Sequence, residues 1–450
     1  MATAGRAVLV SGAIIVLSLA SLLIFPQIFL RSMGLGGSAA VLGAALGALT
    51  VLPALLAILG PRINALRIPL PRTHATAPGQ GWARLAHAVM RRPVRTLIPV
   101  VALLAVLTLP FAHVRFGGAD ERVLPEGTPA RTVAEHVHAD FPHDIPTSPI
   151  RVLLDGGGAD QADRLAERIR ALPSVTAVQV TAVHEGRAAL ITVGYTGEAT
   201  GDGAYEAVRG LRALPTPPGT TTLVGGAPAV DLDLVHDLGA RLPWLTLAML
   251  GVTTVLLAVA FGSVVLPVKA VLMNLVSIGA SFGAVVWVFQ DGHLSGVLGF
   301  TPTGYLEPNL PVLIFAVLFG LATDYEVFLL SRVREAWDHT GDNRTAVAAG
   351  LQHTGRIITA AALLLVLVVA GFTTGQVVFA KLIGVGMITA VVIDATLVRT
   401  LLVPATMRLL GRWNWWAPPP LARLHRRTGP DTTTTAPATA AAPLITEAAR

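Results

Sequence analysis

Apolar residues run along this chain in long uninterrupted blocks, separated by short stretches dense in arginine, glycine and proline. Eight blocks, 7–25, 38–59, 94–112, 243–261, 268–289, 310–330, 357–372 and 382–402, approach the roughly 20 residues a helix needs to cross about 30 Å of hydrocarbon. They predict eight transmembrane helices. The first has an arginine ahead of it, as a secretory leader has. No small-x-small cleavage site follows it and a second apolar helix does, so it reads as a retained span.

The pattern changes between the third and fourth blocks. "PIRVLLDG" reads as a strand and "ADQADRLAERIRAL" as an amphipathic helix; "SVTAVQVTAV" and "RAALITVGYTG" read as strands joined by "HEG". "GAYEAVRGLRAL" then reads as a helix and "TTTLVGG" as a strand. The order β-α-β-β-α-β predicts an inserted α+β ferredoxin-like domain, two helices covering one face of an antiparallel sheet. From Thr428 the tail "TGPDTTTTAPATAAAP" is of low complexity and reads as disordered.

Charge sets the orientation. Arg62, Arg67, Arg72, Arg84, Arg91 and Arg92 fall in one connection, Arg332, Arg334 and Arg344 in another, and Arg408, Arg412, Arg423, Arg426 and Arg427 after the last block. The short loops on the other side hold Arg31 and no basic residue in 291–307. The positive-inside rule then predicts a multi-pass protein of the cell membrane with both termini cytoplasmic. The insert is extracytoplasmic, because long domains are translocated regardless of charge.

Composition agrees: 53% of residues are hydrophobic and 13% charged, against about 25% charged in soluble domains. The net charge of +6 does not point to nucleic acid, since the basic residues flank apolar blocks rather than gather on one soluble face. There is no cysteine, which excludes disulfides, thiolate metal sites and cysteine nucleophiles.

An internal repeat organises the whole. "TAGRAVLVSGAI" opens the first block and "HTGRIITAAALL" the seventh, so Gly5-Arg6 matches Gly355-Arg356. "LTVLPALLAILG" closes the second and "TLLVPATMRLLG" the eighth, so Pro53 matches Pro404. The offset is about 350 residues in both cases, and the repeat is parallel. Carried backwards, it places a partner of Asp324 before Met1, so the chain reads as the end of one repeat followed by a complete second one. The expected domains are 1–60, the last two helices of the first repeat, and 61–93, a cytoplasmic linker. Residues 94–112 form the first helix of the second repeat, 113–242 the extracytoplasmic domain, 243–410 a five-helix block and 411–450 a cytoplasmic tail.

"GLATDYEVFLLSRVREAW", "VVIDATLVRTLLVPA", "VRFGGADERVLPEGTPAR" and "TAGRAVLVSG" resemble the mycobacterial-membrane-protein-large family of resistance–nodulation–division transporters, over residues 1 to about 418. The resemblance implies twelve spans in two repeats, each repeat with a porter domain after its first helix. It further implies use of the proton gradient to export lipids or other hydrophobic compounds. Against that pattern this chain has eight spans and one porter domain, and lacks the first-half Asp-Tyr pair. It is expected to need a partner, either the missing first repeat or another protomer. A non-transporting membrane protein or assembly partner is the alternative, and a proton-using translocation auxiliary of the same superfamily a further one.

Ionisable residues inside spans mark ion pathways. Asp324 lies about 12 Å along its helix from Arg332, at 1.5 Å per residue, too deep for a short side chain to snorkel. It reads as the site that binds the coupling proton, with the Tyr325 hydroxyl as its hydrogen-bond partner; the plainer reading is a structural carboxylate. Moving one charge through the membrane potential is worth about 2.3 kcal/mol per 100 mV. Glu326 points about 200° away from Asp324 and so cannot share its site. Asp394, mid-span on the last helix, is a second coupling candidate, against a structural contact between helices. Arg399 follows it at i+5, off the face for an intrahelical pair, and is expected to snorkel or to reach a neighbouring helix.

Ser11 and Thr359 are supporting candidates that either bond to a neighbouring carboxyl or back-bond to their own helix. Gly43 and Gly47 form a GxxxG, read as helix packing. In "EHVHADFPH", His136, His138 and His143 read as solvated histidines at a helix end, with a metal site the alternative. "LDGGGAD" lacks the GK[ST] ending of a phosphate loop and reads as a strand-to-helix turn. No cofactor and no enzyme chemistry are expected.

Overall fold

Proline and glycine decide where the apolar blocks become separate helices. In a computed structural model, which describes residues 4–60, 62, 79–140, 148–184 and 186–419, the first helix, α1 (Ala4–Ala20), ends in a 3-10 turn at Ser21–Ile24. There Phe25 is extended (φ −82°, ψ 142°) ahead of Pro26, as a residue before proline must be. Val8–Ile24 is therefore a short apolar helix, and among the described residues seven helices rather than the expected eight are long and apolar enough to cross a membrane. Arg67, Arg72, His143, Arg423, Arg426, Arg427 and the tail from Thr428 lie outside the described residues.

The remaining bundle follows in order. Helices α2 (Ile28–Leu49) and α3 (Val51–Leu59) form one span broken at Thr50. The amphipathic α4 (Gln80–Arg91) lies ahead of α5 (Pro93–Thr108). After the sheet domain come α9 (Ala227–Phe261) and α10 (Val265–Val285), the latter extended by a π-helical turn at Val286–Gln290. The short α11 (Ser295–Leu298) leads to α12 (Asn309–Thr340) and α13 (Asn343–Thr373). The last span is α14 (Val378–Ile393), a π-helix at Asp394–Leu402, and α15 (Val403–Leu410).

Turns between these helices have local causes. Gly262 (φ 59°) and Gly341 (φ 64°) end α9 and α12 in the left-handed conformation, which glycine adopts without a Cβ penalty. Asp342 caps α13 by accepting from the backbone N–H of Arg344 and Thr345, satisfying donors that the first turn leaves free. Spans α10 and α12 form the centre, 67% of each apolar window being buried, against 22% for α13. Where α10 passes α5, a Cβ on Gly283 would sit 1.8 Å from the Leu107 carbonyl oxygen. Only glycine allows that approach.

The sheet domain contains α6 (Pro129–Asp140), β1 (Ile150–Asp155), α7 (Ala159–Arg170), β2 (Val175–His184), β3 (Ala188–Tyr195), α8 (Asp202–Ala213) and β4 (Thr221–Gly225). Its strands lie in the order β2-β3-β1-β4, every neighbouring pair antiparallel. Alternate residues of β1 are buried, as the period of two requires, and Ile150, Val152 and Leu154 pack with Leu165 and Ile169 of α7 and Val208 and Leu211 of α8. Gly226 follows β4 directly and α9 begins at the next residue. The 35 residues of α9 run for about 52 Å at 1.5 Å per residue, so one helix joins the sheet to the bundle. A second junction is the backbone pairing of Phe116 with Leu306. Beside it, burial raises Glu307, whose carboxylate accepts from Asn309 and from the backbone N–H of Leu310.

Candidate site in the bundle

Three successive positions on α12 point to three different neighbours, because adjacent helical residues are separated by about 100°. Asp324 turns toward α1, where the Ser11 hydroxyl is its polar neighbour. Tyr325 turns toward the last span, its ring beneath the Arg399 guanidinium with Cζ 4.5 Å from the ring centre. Glu326 turns toward α10 and faces Lys269. The expected bond between Asp324 and Tyr325 is thus replaced by two separate contacts, one to a hydroxyl and one to a guanidinium.

Arg399 is the hub. It pairs with Asp394 and donates from Nη2 to the Ala322 carbonyl of α12 at 3.4 Å. Only 5% of Arg399 and 7% of Asp394 is exposed, so Arg399 does not snorkel. Its pairing with Asp394 corrects the expectation from α-helical geometry. The segment Asp394–Leu402 is a π-helix, whose hydrogen bonds run between residues i and i+5. In that winding a residue and its fifth successor lie on one face. The widened turn directly precedes Pro404, which has no N–H to offer Thr400 and crowds its carbonyl. The matching Pro53 follows the break at Thr50, so both repeat-related prolines stand just after an irregular turn.

A cavity of about 20 Å³, room for about one water, lies among Ser277, Tyr325, Asp394 and Arg399. Beside it, Asn274 donates to the Thr323 hydroxyl at 3.3 Å, and Thr323 donates to the Phe319 carbonyl at 2.7 Å. A polar seam therefore runs between α10, α12 and the last span through otherwise apolar packing.

Other sequence candidates separate from this seam. Thr359 back-bonds to the Gly355 carbonyl at 2.8 Å. A Cβ on Gly43 or Gly47 would meet nothing within 4 Å, so that GxxxG packs against no described helix. His136 sits beside Asp140 at 3.3 Å on an exposed face. Arg332 pairs with Glu335 at 2.7 Å rather than with the buried cluster.

Lys269 escaped the sequence reading because it sits within the first turns of an apolar run. A count could have found it. Of the 33 lysines and arginines only two are lysines, Lys269 and Lys381, and both are buried. Lys381 donates to the carbonyls of Leu298 and Gly299, each at 2.6 Å.

Comparison with known proteins places this arrangement. The MMPL family matches residues 1–96 and 122–432. A membrane protein of Streptomyces coelicolor is 44% identical over 95% of this chain and 59% of its own length. The trehalose monomycolate exporter MmpL3 of Mycobacterium tuberculosis is 36% identical over 95% of this chain and 49% of its own. The mycolic acid-containing lipids exporter MmpL11 of Mycolicibacterium smegmatis is 35% identical over 93% and 45%. The chain spans about half the length of the curated relatives it matches. The crystal structure of a heavy metal efflux pump aligns with a TM-score of 0.54 at 12% identity, over 90% of this chain and 57% of that one. That likeness is one of fold.

Proposed function

The chain belongs to the MMPL family of resistance–nodulation–division transporters, and we propose that its bundle uses the proton gradient to export lipids or other hydrophobic molecules. The observation that carries this reading is the charge count of the seam. Asp324, Glu326 and Asp394 supply three carboxylates, and Lys269 and Arg399 two cations, each linked electrostatically to another member. Fully ionised, the cluster holds one unmatched negative charge. One proton makes it neutral, and a cluster in low dielectric favours neutrality by several kcal/mol. Asp324 is the proton-binding group in this reading, because its partner is a hydroxyl while Asp394 is already paired with Arg399.

The lipid cargo rests on the relatives, two of which are named as lipid exporters. We read the sheet domain, with its two helices and its strand order, as a ferredoxin-like porter domain on the extracytoplasmic side, with the termini of the chain in the cytoplasm of the cell-membrane orientation. In this reading α9 carries movement between the seam and the porter domain, since it has no break between them.

The test is proton uptake and lipid movement in proteoliposomes containing the chain, with an imposed pH gradient. Asp324→Asn is expected to abolish proton-dependent movement while leaving membrane insertion and thermal stability near those of the unsubstituted chain. Movement that is unchanged in this variant, or that never responds to the gradient, overturns the proposal.

A further inference from the structure

Lys269 and Glu326 face each other across the contact of α10 and α12, with 7% and 6% of their surfaces exposed. Neither is satisfied. The Lys269 Nζ and both Glu326 carboxylate oxygens have no hydrogen-bond partner. Around them the packing is apolar: Leu266, Ala270 and Met273 on α10, and Val327, Leu330 and Val333 on α12, belong to one buried cluster. An ammonium and a carboxylate held apart in such surroundings cost several kcal/mol per ion. An amine and a carboxylic acid in the same places cost far less.

The identity of the cation matters as much as its burial. This chain uses arginine at nearly every basic position, and arginine keeps its proton under all conditions a protein meets. Lysine is the residue for a cation that has to be discharged. One of the two lysines, Lys381, donates to two carbonyls. The other has none.

We propose that Lys269 and Glu326 form a second proton-exchange site, which interconverts an ion pair with an amine and a carboxylic acid at one proton count, the proton crossing when the two side chains swing within hydrogen-bond reach. In the forward step an N–H bond of the ammonium breaks and an O–H bond forms on Glu326, so both charges vanish together and no net charge moves. The reverse step restores the ion pair. This deepens the proton-driven reading above and rests on it for its purpose.

The pair is also placed to sense the charges of the last span. Lys269 is acted on by Glu326, and Glu326 by Lys269 and by Asp394 and Arg399 of the last span. While Asp394 is ionised, its negative charge opposes a second one on Glu326, and the neutral form is favoured. Loss of the Asp394 charge lowers that opposition, Glu326 ionises, and the recharged pair draws α10 and α12 together.

The two lysines make this directly observable. With 15N in the lysine side chains, the chain in lipid nanodiscs gives two side-chain nitrogen resonances, assigned by Lys381→Arg. The Lys381 signal serves as the internal reference, and Lys269 is expected to pass from amine to ammonium as the pH is lowered. Asp394→Asn is expected to convert Lys269 to the ammonium at the pH where it is otherwise neutral. If Lys269 is an ammonium at every pH at which the protein stays folded, or an amine at every such pH, the exchange site is overturned. The unsubstituted chain decides this even if Asp394→Asn does not fold. Because the readout needs no transport, its failure leaves the Asp324→Asn result standing, and the reverse holds as well.

Discussion

Asp324 and Asp394 are both carboxylates among spanning helices, yet they are held by partners of different kind, and removing each charge should have a different effect. Asp394→Asn leaves the Arg399 guanidinium buried without its counter-ion, a loss of about 3–5 kcal/mol. Asp324→Asn removes a carboxylate that holds no ion pair and leaves a polar amide beside Ser11, so the loss should be about 1 kcal/mol. Thermal unfolding of the two variants in one detergent checks the order; equal midpoints would mean that the Arg399 pair contributes nothing particular. At the membrane surface Asp342 offers a pH-dependent counterpart. The Thr345 hydroxyl and backbone N–H groups hold its carboxyl below its usual value. A depressed folded value means that its stabilisation is full at neutral pH and fades as pH falls below about 4. Asp342→Ala should therefore cost about 1 kcal/mol at neutral pH, with the difference shrinking in acid. A difference that grows on acidification would contradict the capping role.

At the scale of elements, the π-helix at Asp394–Leu402 decides whether the last span contributes a charge pair or two stray charges. Restoring an N–H with Pro404→Ala gives Thr400 a donor and should let the segment rewind as an α-helix. Asp394 and Arg399 would then be separated by about 140° at 100° per residue. Chemical denaturation of Pro404→Ala and Asp394→Asn, alone and combined, reads the coupling: if the pair depends on the widened turn, the two effects should fall well short of adding. Full additivity would free the pair from the proline. This is also where the sequence was least legible. Apolar blocks announce helices through length, and strands through alternation, but no residue type announces a π-turn. An i+5 spacing consequently looked unpaired until the winding was known. Tyr325 was misjudged for a related reason, since adjacency in sequence places side chains a quarter-turn or more apart on a helix. The candidates Asp324, Glu326, Asp394 and Arg399 were nonetheless visible, because charge is rare in these blocks; Lys269 was hidden only by its place near the start of one.

Across the whole molecule, the sheet and the bundle are tied by a single unbroken helix, α9, and by the backbone pairing of Phe116 with Leu306. The strands and helices of the sheet were legible from alternation and amphipathic spacing. The continuity of α9 was not, since the sequence changes from polar to apolar near Pro243 and a helix with a proline inside it reads as two. The distribution of lysine has a consequence on this scale that has nothing to do with transport. Acylating reagents and lysine-directed proteases need an accessible amine, and in the folded chain Lys269 offers none, its Nζ being fully enclosed. Any such reagent that modifies Lys269 has therefore met an opened molecule, so the protein carries its own chemical indicator of unfolding.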